Sequence, residues 1–87
     1  MIIEKVDIVA LRYGARIWSL PRPARHGHVI KHMDEQGLCE EARLSEQGFL
    51  TNKNRFVNRN EGAQFALAAK QIDELRWPPR LYSEDLW

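Results

Sequence analysis

The segment Gly48–Ile72, GFLTNKNRFVNRNEGAQFALAAKQI, constrains the fold more than any other part of the chain. Two short apolar runs, Gly48–Thr51 and Arg55–Val57, flank the polar trio Asn52-Lys53-Asn54. Asparagine is the non-glycine residue most tolerant of positive φ, so the trio reads as the turn of a hairpin. Asn58 followed by Glu61 has the spacing of a capping box, with Asn in place of the usual Ser or Thr. Ala63, Phe65, Ala66, Leu67, Ala69 and Ile72 then form an apolar stripe at helical spacing. Strand, turn, strand and helix are therefore expected in that order.

The segments before and after it fit the same plan. Ile2 to Leu11, with Val6, Ile8, Val9, Ala10 and Leu11, is a nearly continuous β-branched and apolar run, expected as a central strand buried on both faces. Tyr13-Gly14-Ala15 supplies a turn. Arg16–Leu20 alternates as a second, antiparallel strand with Ile17 on one face and Trp18 and Leu20 on the other. Pro21 and Pro23 end it, because proline donates nothing to a ladder. From Arg25 the spacing turns helical through Val29, Ile30 and Met33, with Gly37 placed as a C-cap. Leu38–Gln47 is acidic and reads as loop, with a helical turn at Glu40–Leu44. The second helix is expected to continue past Ile72 to Leu75, before Trp77-Pro78-Pro79 stops it. A fold of class α+β follows: ββαββα, one antiparallel sheet with two helices packed on it. Whether the halves pair within one chain or across a dimer stays open.

Length and charge narrow the function classes. The chain has 87 residues, 44% apolar and 29% charged, and a formal net charge of +1. That describes one globular domain, 1–87, and no nucleic-acid-coating protein, which would show a large basic excess. A single cysteine, Cys39, allows no internal disulfide, which fits a reducing cytoplasm. No apolar run approaches a membrane span, and Met1-Ile2-Ile3-Glu4 lacks the layout of a signal peptide. The last residues, 80–87, carry Leu81, Tyr82, Leu86 and Trp87. That apolar area implies a tail docked on the domain or on a partner subunit.

Candidate chemistry centres on Arg22, Arg25, His26, His28, Lys31 and His32. Arginines just ahead of a helix start, beside its free amides, suit a phosphate-type anion. The competing reading pairs those arginines with Glu84 and Asp85 of the tail. His28 and His32, four apart, could share a metal with His26 or Cys39, but no Cys-x-x-Cys or His-Glu-x-x-His pattern supports it. Acidic neighbours work against a reactive Cys39 thiolate, and Ser83 has no evident base. No Gly-rich phosphate loop and no required cofactor is visible, and no catalytic residue is assigned. Arg59, in the first turn of a helix, sits where the dipole disfavours a cation unless an anion is near.

Pro21-x-Pro23-x-Arg25-His26, Gln47-Gly48-Phe49-x-Thr51, Arg55-Phe56-Val57-x-Arg59, Ala66-x-x-Ala69-x-Gln71-Ile72 and the ending Leu81-Tyr82-Ser83-Glu84-Asp85-Leu86-Trp87 resemble a family of small phage and prophage proteins, over nearly the whole chain. Members of that family usually carry Gly or Asp in the hairpin turn and Glu-Ala early in the second helix. Here the turn is Asn52-Lys53-Asn54, and Glu61-Gly62-Ala63 places a glycine inside the helix, at ~1 kcal/mol relative to alanine. The resemblance implies phage origin and a setting in the host cytoplasm. Small phage proteins of this kind suggest counter-defence. One expectation is a sponge that sequesters a phosphate-bearing nucleotide immune signal through Arg25, His26, Arg55, Arg59 and Gln71, with Tyr82 and Trp87 as stacking surfaces. A second is an anti-CRISPR-like inhibitor that binds a host defence protein. A third is a small nucleotide hydrolase with His26 as base, assisted by Glu84 or Asp85. A homo-oligomer fits any of them.

Overall fold

The computed structural model describes residues 3–87. Its elements are β1 (Val6–Tyr13), β2 (Arg16–Leu20), α1 (His26–Glu35), α2 (Cys39–Leu44), β3 (Glu46–Thr51), β4 (Phe56–Asn58) and α3 (Arg59–Ala68), with a short 3-10 turn at Ser83–Asp85. The four strands make one antiparallel sheet in the order β2-β1-β3-β4. This is the expected α+β architecture with one more helix. No helix among the described residues is long and apolar enough to cross a membrane.

Each turn follows from its residue types. Gly14, at φ 62°, closes the β1–β2 hairpin, where Tyr13 faces Arg16. In the β3–β4 hairpin Asn54 takes φ 61°, and its amide donates to the Thr51 carbonyl at 2.8 Å. The Asn58 side chain accepts from the Glu61 amide at 2.8 Å, and the Glu61 carboxylate accepts from the Asn58 amide at 2.9 Å. That reciprocal cap satisfies two otherwise orphaned donors. Asn58→Ala should cost about 1 kcal/mol, read as a lower urea midpoint with an unchanged slope.

Three boundaries differ from expectation. The first strand starts at Val6 and runs on to Tyr13, while the expected start at Ile2 lies outside the described residues. Cys39–Leu44 is a helix rather than a loop with a turn. It gains from Glu40 and Glu41 in its first turn, where the dipole favours acids. The last helix ends at Ala68, short of Ile72 and Leu75. There Lys70 takes φ 58°, and the Lys70 and Gln71 amides donate to the Leu67 and Ala66 carbonyls. This Schellman closure forms with Lys70 in place of the usual glycine, and the Gln71 side chain just beyond it turns back to β1. Its Oε1 accepts from the Val6 amide and its Nε2 donates to the Val6 carbonyl, both at 2.8 Å.

The helices share one side of the sheet. Val9 and Leu11 of β1, Phe49 of β3 and Val57 of β4 pack there against Val29 and Met33 of α1, Ala42 of α2, and Ala63 and Ala66 of α3. Gly62 explains its own presence in α3. A Cβ at that position would lie 3.1 Å from Phe49 Cδ2 and 3.3 Å from Leu81 Cδ2. The bare backbone lets both side chains press against the helix. Leu81, fully buried, thus brings the tail onto the same core.

Candidate functional site

The tail meets the first turns of α1 and α3 at one place. Leu81 is bracketed twice by Arg59: its amide donates to the Arg59 carbonyl at 3.0 Å, and its carbonyl accepts from Arg59 Nη1 at 2.8 Å. Tyr82 follows with its ring 4.3 Å from the Arg59 guanidinium carbon. Asp85 then locks the turn, its carboxylate accepting from the Tyr82 and Arg76 amides at 3.0 and 3.2 Å. Between these walls lies a cleft of about 320 Å³, lined by Arg25, His26 and Gly27 of the α1 start, Arg59 of α3, and Tyr82 and Glu84 of the tail.

His26 is nearly buried at the cleft wall, 7% exposed. Its Nε2 lies 2.7 Å from the Gly48 carbonyl, and its ring meets Phe49 edge-on at 5.0 Å. A carbonyl can only accept, so Nε2 carries the proton. Burial draws the imidazole down to about 4, with the Arg59 charge acting in the same direction. The ring is therefore neutral near pH 7, and Nδ1 is left as an acceptor. Arg59 Nη2 approaches that nitrogen at 3.4 Å, at the long end of hydrogen bonding, while making a tight 2.6 Å bond to Gln47 Oε1.

Arg59 is half-buried, and burial lowers its pKa. It has no carboxylate within ion-pair distance among the described residues. Arg25 does have one. Its Nη1 lies 3.1 Å from Glu84 Oε1 and 3.3 Å from Ser83 Oγ, and its Nη2 donates to the Trp87 carbonyl. Of the arginines ahead of α1, Arg25 pairs with Glu84 of the tail, whereas Arg22 bonds the Asp7 and Val6 carbonyls; Arg59, from α3, meets the tail through the Leu81 backbone and the Tyr82 ring but through no carboxylate.

The sequence candidates divide. Arg25, His26, Arg59 and Tyr82 converge on the cleft. Arg55 lies outside it, holding Glu4 through Nε at 3.1 Å and through Nη2, with its guanidinium over Phe65. Gln71 is spent on the Val6 backbone. Trp87 braces the tail, donating from Nε1 to the Ala24 carbonyl at 3.1 Å beneath the exposed Arg22. His28 is an internal cap, its Nδ1 accepting from the Arg25 amide at 2.8 Å. No group of three or more His, Cys, Asp or Glu side chains that could hold a metal ion occurs among the described residues. Cys39 is exposed, and its thiol pKa is raised by hydrogen bonding to Asp34. Sequence reasoning did not single out Gln47 and the Gly48 carbonyl, which orient Arg59 and His26. Only their place in the Gln47-Gly48-Phe49 run hinted at them.

No curated protein and no solved structure matches the chain. Residues 6–87, covering all seven elements and the tail, do match the family described as Phage T4 y16D protein. The chain belongs to the phage T4 y16D protein family.

Proposed function

We propose that this phage protein binds a small phosphate-bearing nucleotide in the cleft between α1, α3 and the tail, and so withholds an immune signal in the host cytoplasm. The observation that carries the reading is Arg59. A half-buried guanidinium held only by neutral groups, the Leu81 carbonyl, Gln47 and His26, is a charge awaiting an anion. Arg25 adds a second guanidinium on the cleft wall, beside the start of α1, where the dipole favours an anion. Trp77, Tyr82 and Glu84 line an adjoining opening, and Trp77 is 53% exposed. A base stacked there would leave its phosphate toward the arginines, at a gain of ~1–3 kcal/mol for the stack.

Calorimetric titration with a panel of mononucleotides, cyclic nucleotides and ADP-ribose-type nucleotides tests this. The expected result is saturable heat with at least one ligand, which denaturation then returns chemically intact. Recovery of a cleaved ligand would instead support a hydrolase. Absence of heat from every nucleotide, alongside tight binding to a host defence complex, would support the inhibitor reading.

A further inference from the structure

We infer that the cleft selects a phosphate that carries a proton, that is, a terminal phosphate monoester, over fully ionised or diesterified oxyanions. The inference rests on the anion-binding reading above and specifies the chemistry of the group bound. Two of the ionisable groups lining the cleft, His26 and Glu84, offer a bound anion no proton. The Gly48 carbonyl takes the only N–H of a neutral His26, and its Nδ1 is turned to Arg59 Nη2 at 3.4 Å, so the ring offers a ligand no proton. Across the cleft, Glu84 presents a carboxylate that Arg25 and the Ser83 hydroxyl engage through Oε1 alone.

An incoming oxyanion therefore meets Arg25 and Arg59 as donors and the remaining oxygen of Glu84, Oε2, as an acceptor. Sulfate, all acceptor near neutral pH, would set an oxygen lone pair against it. Such an unmatched contact between acceptors is a strong basis for rejection where water is displaced. A phosphate monoester, with its second pKa near 6, can place a P–OH there and still present anionic oxygens to the guanidinium groups. Charge agrees with geometry. Two arginines against one glutamate and a neutral histidine leave the cleft with one net positive charge, suited to a monoanion. A phosphodiester has the charge but no proton on a phosphate oxygen.

The test is calorimetry at pH 6.5 with inorganic phosphate against sulfate, and with 5′-AMP against 3′,5′-cyclic AMP, on wild type and Glu84→Gln. Wild type is expected to bind phosphate at least ~10-fold more tightly than sulfate, and the monoester more tightly than the cyclic diester, as sites built to receive a ligand hydroxyl do. Glu84 is exposed, so its replacement by glutamine should leave the fold intact. The added amide donor should strengthen sulfate binding several-fold and narrow the preference. Equal affinity for phosphate and sulfate, or a preference for sulfate, would leave the anion site standing and overturn the selectivity. Failure of all four probes to bind would remove the anion site, and the selectivity with it.

Discussion

Leu81→Ala should destabilise the protein by about 2–5 kcal/mol, the range for truncating a fully buried leucine. Leu81 is 0% exposed and seats against Phe49 and the glycine-bared turn of α3. Alanine there leaves a cavity that the backbone cannot easily fill, because Arg59 holds residue 81 by both its amide and its carbonyl. The consequence extends beyond stability. Tyr82, Ser83 and Glu84 reach the cleft only because Leu81 anchors the chain beside them, so phosphate affinity should fall at least tenfold, beyond what the unfolded fraction explains. Urea unfolding gives the first quantity, and calorimetry under fully folded conditions gives the second. Leu81→Met, close to volume-conserving, should cost under about 1.5 kcal/mol and keep binding. A Leu81→Ala protein with near-wild-type stability and affinity would show that the tail is not what shapes the cleft.

What the sequence made legible was local, and what it hid was long-range. Asn54 and Gly14 announced their turns through backbone preference, and Asn58 with Glu61 announced a helix start through spacing. The helix end was hidden: nothing local to Gln71 shows that the Val6 backbone, 65 residues away, will take both ends of its amide. Arg55 and Arg59 flank Phe56-Val57, the first reading as strand and the second as a helix start, yet both are candidates for one site. The chain turns from strand to helix between them, sending Arg55 to Glu4 and Arg59 to the tail. Gly62 read as a helix defect until Phe49 and Leu81 were seen against it. A cleft made of two helix starts and a tail is a product of such distant contacts. Its arginines and histidine could be nominated from sequence, but not sorted.

Between pH 6.5 and 4, His26 alone should remove about 3 kcal/mol of stability. In the unfolded chain its imidazole titrates near 6.5, whereas in the fold burial holds it at about 4. Below pH 6.5 the unfolded state therefore binds a proton that the native state refuses, and stability falls as pH falls. The loss levels off once the native ring also protonates, near pH 4. A gap of about 2.5 pH units at ~1.36 kcal/mol each sets the magnitude. The groups facing the ring pull in different directions: Arg59 opposes its protonation, while the Gly48 carbonyl and Glu84 favour it. Carboxylates act lower on the scale. Arg55 holds Glu4 below its ordinary value, so that contribution is present above about 4.5 and disappears only in stronger acid. The window from 6.5 to 4.5 thus isolates the histidine. Urea midpoints measured across it should fall steadily for wild type and stay nearly level for His26→Gln; a level wild-type curve would mean the ring is not held neutral.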